Sequence, residues 1–221
     1  MTRTDSQTPR ARFEGDRLAD ALFAILVLVL LVLVWLGFRD FGVIWDDQDH
    51  RRNGDLFIEF YRTWFQQIPA GQFDFESYAP VLHTHAALFD GTGSLLNLVS
   101  PFGQFETRRL LGGLVGIIGI AGCWALTRHL AGPLAAFFAA LCLALYPAYY
   151  GHAFMNPKDI PVAAGYVWSI YYLMRCIRVY PVVPHSLSLR LGIAIGLTSR
   201  SASVVCCCSA TSSSRWGSIS R

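Results

Sequence analysis

The sequence predicts an all-α fold: a polytopic bundle of membrane helices, about four spans plus a partial fifth, with a long external loop carrying interfacial helices. Three observations predict it. Of 221 residues, 53% are hydrophobic and only 15% charged, against about 25% charged in an ordinary soluble domain, too few to cover a globule of this size. The apolar residues gather into runs that match a hydrocarbon core about 30 Å thick at about 1.5 Å of rise per residue. The charged residues fall between those runs. A net charge of +3, from 18 basic and 15 acidic residues scattered along the chain, gives no nucleic-acid footprint, and a mean hydropathy of +0.40 excludes a disordered chain.

The first span, Ala21 to Phe38, has no charged residue and is bracketed by Arg17 and Asp20 before it and by Arg39 and Asp40 after it. It is too long and too evenly apolar for a signal peptide. The second, Leu110 to Thr127, is interleaved with Gly112, Gly113, Gly116, Gly119 and Gly122. Small residues at that spacing let a neighbouring backbone approach, so this helix is expected inside the bundle. The third, Leu130 to Tyr150, follows a tight Ala131-Gly132-Pro133 turn and ends in Tyr146, Tyr149 and Tyr150, an aromatic collar of the kind found at interfaces. Ile160 to Met174 is the fourth, and Leu187 to Thr198 begins a fifth. Cys123, Cys142 and Cys176 lie in or beside apolar runs and read as small hydrophobes. Cys206, Cys207 and Cys208 are consecutive, which suits neither zinc nor ordinary pairing.

Arg3, Arg10, Arg12 and Arg17 precede the first span, Arg128 separates the second from the third, and Arg175, Arg178 and Arg190 follow the fourth. Positive-inside counting puts them in the cytoplasm, together with an N-terminal tail over residues 1–20. Two external segments result, a long one from about Arg39 to Arg109 and a short one from about Gly151 to Asp159. Arg108 and Arg109 then stand on the outer side, where residues distant in sequence converge.

The long segment opens with Asp46, Asp47 and Asp49 within a few residues of a membrane helix. Such a cluster is either a solvated polar loop or a carboxylate site for a base or metal beside the bilayer. Phe57, Phe60, Tyr61, Trp64, Phe65 and Ile68 recur at helical spacing, as in an amphipathic helix lying in the interface or one packed on the loop's own core. Asp90-Gly91-Thr92-Gly93 reads as a turn, and Ser94 to Phe102 as a second interfacial stretch. His83 and His85 share a face of an extended segment and, with Asp90, form a weak metal-ligand pattern. In the short segment Asp159 can cap the following helix, with Pro161 in its first turn, and Lys158 can reach lipid headgroups. Arg109, Lys158 and carboxylates on one face suit an amphiphilic phosphate substrate, with cations holding phosphate and a carboxylate activating a nucleophile.

Together these residues resemble the GT-C glycosyltransferases, polytopic enzymes related to protein O-mannosyltransferases and the lipid A aminoarabinose transferase. The shared features are Asp46-Asp47 with Gly54 after the first span, Arg109 followed by Gly112 and Gly116, and Asn156-Pro157-Lys158-Asp159-Ile160-Pro161 between the third and fourth spans. The resemblance covers about residues 20–197 within a membrane region of 21–198. It implies a polyprenyl-phosphate sugar donor, an inverting transfer on the non-cytoplasmic face, and an acceptor that is a lipid, glycan or protein. By position, Asp46 would be the general base, Asp47 would orient or replace it, and Asp159 would align the acceptor or support the base. Arg109 and Lys158 would stabilise the leaving phosphate. The pattern usually has Glu where Asp47 stands, so the choice between Asp46 and Asp47 stays open. No cofactor is implied, a divalent metal is neither required nor excluded, and the expected setting is a bacterial inner membrane with its lipids as partners. The alternative is a non-catalytic small membrane protein serving as an assembly or lipid-binding module.

From Ser199 to Arg221 the chain becomes Ser- and Cys-rich, has no acidic residue, and loses the apolar period of the fifth span. A helix stopping inside hydrocarbon would leave backbone groups unpaired. The sequence therefore predicts that residues 199–221 are out of frame or disordered, and that the chain is the amino-terminal part of a longer transferase.

Overall fold

In the computed structural model of the chain the described residues are 9–67 and 87–201. Among them every regular element is a helix: α1 (Pro9–Gly37), α2 (Asp47–Gln67), α3 (Ala87–Asn97), α4 (Gln104–Ala131), α5 (Pro133–Ala144), α6 (Pro147–Met155), α7 (Asp159–Arg178) and α8 (His185–Ser201). The stretch Gly15–Gly37 of α1, together with α4 and α7, is long and apolar enough to cross a membrane, and α5 with α6 makes a fourth candidate bent by 62°. This is a polytopic helical bundle. Leu31, Trp35 and Leu36 of α1, Ile118 of α4 and Leu173 of α7 remain exposed on its flanks, as lipid-facing side chains must. Of the tail over 199–221, expected to be out of frame or disordered, residues 199–201 close the helix α8 and residues 202–221 lie outside the described residues, as do His83 and His85.

The third span is the first correction. Leu130 to Tyr150 is not one straight helix, because Pro147 offers no N–H to the preceding turn and its ring crowds the backbone there. The chain ends α5 at Ala144 and restarts at Pro147, the first residue of α6. At the other end of α5 the expected tight turn forms. Gly132 adopts φ +88°, a left-handed value that Gly takes without Cβ strain, and its N–H bonds Arg128 O at 3.2 Å. Pro133 then opens α5.

The bend turns α6 onto the glycine face of α4. A Cβ on Gly112 would run into the Ala153 carbonyl, one on Gly116 would lie 2.9 Å from the Ala153 Cβ, and one on Gly119 would overlap the Tyr149 hydroxyl. Tyr149 is therefore not part of an interfacial collar. Its Oη donates to Gly116 O at 2.9 Å, between the helices. On the adjoining face Gly122 receives Val167 of α7, and Trp168 Nε1 donates to Ile118 O at 3.0 Å. Leu30, Val34, Phe38, Ile117, Ile120, Ala140, Ala153 and Phe154 close the core between α1, α4, α5 and α6. Replacing Gly112 with Val should push α6 off α4 and cost about 1–3 kcal/mol, the range for overpacking a filled interface. Gly192, with nothing within 4 Å of its would-be Cβ, is the matched control. Thermal unfolding in detergent measures both, and a Gly112→Val protein as stable as Gly192→Ala would contradict this packing.

α2 lies across α3. Gly54 presses on the backbone of Asp90 and the ring of Phe57 lies over Gly91, so α2 packs on the loop's own core through Phe57 and Phe60 while Tyr61 and Phe65 stay exposed. Asp90 to Gly93 is helical, not a turn. Its glycines serve close approach instead, Gly91 beneath Phe57 and Gly93 beneath the Arg108 side chain. Beyond α3, Leu98 and Val99 project outward as expected of an interfacial stretch. α8 takes the place of the partial fifth span and packs on α7, with Thr198 against Gly165 and the hydroxyls of Ser169 and Thr198 3.4 Å apart.

The two ends of the bundle carry different chemistry. At one end an Arg128–Asp20 ion pair ties α4 to α1, and Arg178 Nη2 donates to His129 O at 3.0 Å. At the other end the close of α1, all of α2 and α3, the start of α4 and the α6–α7 junction come together.

Candidate active site at one end of the bundle

Burying a charge is costly unless it is paired and hydrogen-bonded. At the second end three helices solve that problem jointly. Asp46 and His50, four residues apart at the start of α2, share one helical face, as do Asp90 and Ser94 on α3. Arg108 and Arg109 are adjacent in the second turn of α4 and so diverge. Arg108 reaches α3, where Nη2 donates to Ser94 Oγ at 2.7 Å and Nη1 lies 3.5 Å from Asp90 Oδ1. Ser94 passes the contact on, its Oγ–H donating to Asp55 Oδ1 of α2 at 2.7 Å. Asp90 is 0% exposed and His50 2%. His50 Nδ1 is 3.0 Å from Asp90 Oδ2, and a carboxylate beside Arg108 can only accept, so the ring carries its proton on Nδ1. The opposite nitrogen, Nε2, faces Asp46 Oδ2 at 3.7 Å.

Arg109 turns the other way. Its Nη2 donates to Gly42 O at 3.0 Å and lies 3.5 Å from Asp47 Oδ2, which also accepts from Ile44 N at 3.0 Å. Asp47 thus pins the linker after α1 to α2 and α4. The two adjacent acids differ in their partners: Asp47 is anchored by Arg109 and Ile44 N, while Asp46 faces His50, and their side chains are similarly exposed, 17% and 23%.

Asp47, His50, Phe89, Arg108, Arg109 and Pro157 line one small cavity of about 20 Å³. Pro157 brings the α6–α7 junction to its edge. Within that junction Asn156, rather than Asp159, does the capping. Its Oδ1 accepts from Asp159 N at 2.9 Å and from Lys158 N at 3.3 Å, and its Nδ2 donates to Asp159 Oδ2 at 2.7 Å. Asp159 is the first residue of α7, and Lys158 before it makes no side-chain cap bond. Of the residues singled out in the sequence, Asp47 and Arg109 touch, and Asp46 stands next to them. Asp159 and Lys158 belong to the neighbouring loop, where Asp159 is held by Asn156. The metal pattern loses Asp90 to His50 and Arg108, and among the described residues no group of three or more His, Cys, Asp or Glu is arranged to hold a metal.

Sequence reasoning passed over His50, Asp55 and Ser94 and treated Arg108 only as half of a pair. One signal was present, the i,i+4 step from Asp46 to His50, which has meaning only once α2 is known to begin there.

Behind Phe89 lies a second and larger space, a groove of about 410 Å³ between α3, α4, α7 and α8. Leu88, Leu111, Val115, Trp168 and Leu197 line it, with Arg190 at its rim. A polytopic bundle that buries paired charges at one end, next to an apolar groove, has the makings of a membrane glycosyltransferase of the GT-C type. The family model described as dolichyl-phosphate-mannose-protein mannosyltransferase matches residues 95–212, just over half of the chain, and the chain belongs to that family. The match contains Arg108, Arg109 and the Asn156–Pro161 segment, whereas Asp46, Asp47, His50 and Asp90 lie ahead of it. No curated protein and no solved structure matches the chain.

Proposed function

We propose that the chain takes a polyprenyl-phosphate-linked sugar, with the isoprenoid in the groove between α3, α4, α7 and α8 and the phosphate beside Arg109 and Lys158, and that Asp46 serves as general base in an inverting transfer. One observation carries this reading: Phe89 lines both the small polar cavity and the apolar groove. The apolar groove and the polar end of the bundle therefore lie side by side, with Phe89 between them. The acceptor hydroxyl attacks the anomeric carbon from the face opposite the phosphate and loses its proton to Asp46. The bond to phosphate breaks with its electron pair on the phosphate oxygen, where cations count most because charge grows there in the transition state. Arg109 has guanidinium donors beyond those given to Gly42 and Asp47. Asp47 is the less suitable base because it already bonds Arg109 and Ile44 N. Asp159, beside the α6–α7 loop, would align the acceptor, which is a lipid, glycan or protein. Positive-inside counting puts this end on the non-cytoplasmic face with the N-terminus in the cytoplasm, consistent with a bacterial inner membrane.

The test uses the full chain in membranes with a photoactivatable analogue of dolichyl-phosphate mannose. Labelling should fall on groove residues of α3, α7 and α8. Arg109→Gln should weaken capture about tenfold, equivalent to about 1.4 kcal/mol. Labelling outside the groove, or capture indifferent to Arg109→Gln, would remove the proposal.

A further inference from the structure

The transfer chemistry above makes no use of His50 or Asp90, yet both are buried and each depends on the other for a partner. Asp90 is held from two sides, Oδ1 facing Arg108 and Oδ2 accepting from His50 Nδ1. His50 Nε2 in turn faces Asp46 Oδ2 at 3.7 Å. The string runs from a fully buried carboxylate, through an imidazole, to the partly exposed carboxylate of Asp46.

We infer that His50 is the positioning residue for Asp46 and the store for the acceptor's proton: Asp90 fixes the ring, and Nε2 takes up the proton that Asp46 removes. This rests on the reading of Asp46 as base. The proton count balances. The acceptor O–H gives its proton to Asp46 as its oxygen bonds the anomeric carbon, Asp46 passes that proton to Nε2, and the ring becomes doubly protonated with Nδ1–H still donating to Asp90. Asp46 is then ionised again while the negative charge sits on the departing phosphate.

Charged groups from three helices surround this position. From α2 come Asp46, Asp47, Asp55 and Arg51, from α3 comes Asp90, and from α4 come Arg108 and Arg109. Four carboxylates face three guanidiniums, of which Arg51 donates outward to Gln104 Oε1 at 3.0 Å. A third group that fixes the tautomer and orientation of an imidazole is a recurring way to prepare it for proton transfer.

Ring-¹⁵N-labelled histidine NMR of the full chain in nanodiscs, with His50 assigned from its absence in His50→Asn, tests this without turnover. The neutral ring should carry its proton on Nδ1. In Asp46→Asn the pH at which the ring gains a second proton should fall, because the anion facing Nε2 is gone. A proton on Nε2, or a titration unmoved by Asp46→Asn, overturns the inference. Release of mannose from dolichyl-phosphate mannose supplies a second readout. His50→Asn keeps an amide donor for Asp90 and should lower kcat roughly 10- to 100-fold with KM unchanged, and it should lose the acidic limb of the pH–rate profile. If His50→Asn turns over like the wild type while Asp46→Asn is inactive, the relay falls and the base assignment stands. If Asp46→Asn is fully active, the base assignment itself falls.

Discussion

Replacing Asp90 with alanine is expected to destabilise the folded chain by about 3–5 kcal/mol, the range for removing one member of a buried ion pair. The cost comes from what is left behind. The buried Arg108 guanidinium would lose the carboxylate facing its Nη1, and His50 Nδ1–H would lose the acceptor it has in Asp90. Asp90→Asn, which keeps the shape and one acceptor oxygen, should cost clearly less. Unfolding of the purified protein in detergent, monitored by helical circular dichroism, compares the two. Equal and small losses would mean that the buried cluster does not hold α2, α3 and α4 together.

The second large effect is on chemistry. Asp46→Asn should lower sugar transfer from dolichyl-phosphate mannose by about 10²- to 10⁴-fold, the usual contribution of a positioned general base. Folding should be unaffected, because Asp46 is partly exposed and its ion-pair partner is 3.7 Å away. Asp47→Asn is the informative comparison. Asp47 holds Arg109 and the Ile44 amide, so its loss should loosen the linker after α1 and weaken donor capture as well as turnover. If Asp47→Asn abolishes transfer at unchanged donor capture and Asp46→Asn does not, the two roles are reversed.

Different parts of this molecule were legible in the sequence to different degrees. Whether a stretch can cross hydrocarbon depends on the local sum of its side chains, so α1, α4 and α7 could be read directly. The glycine face of α4 was readable for the same reason, since small residues at helical spacing have few other uses there. Pro147 was visible too, but the continuous apolar run from Leu130 to Tyr150 outweighed it. The bend also redirected Tyr149 from an interface to a helix contact. Asp90 to Gly93 misled by composition: two glycines in four residues look like a turn until Phe57 and Arg108 are seen to occupy the space they leave.

The candidate site divides in the same way. Asp46, Asp47 and Arg109 could be picked out because rare charges beside apolar runs stand out against a sparsely charged chain. Their partners could not. His50 and Asp90 are 40 positions apart, and Arg108 and Ser94 are 14 apart. Pairing over such separations depends on how α2 crosses α3 and how α3 meets α4, which in turn depends on Gly54 letting α2 reach the Asp90 backbone, Gly91 making room for the Phe57 ring and Gly93 for the Arg108 side chain.

By itself, then, the sequence determined an all-helical membrane protein, its main spans and the end at which charge collects, because hydrophobicity and helical period are properties of neighbouring residues. Tertiary structure decided that Asp47 is tied to Arg109 and the Ile44 amide, and that His50 stands between Asp46 and Asp90. Those distinctions come from contacts between helices, and no local property of the chain encodes them.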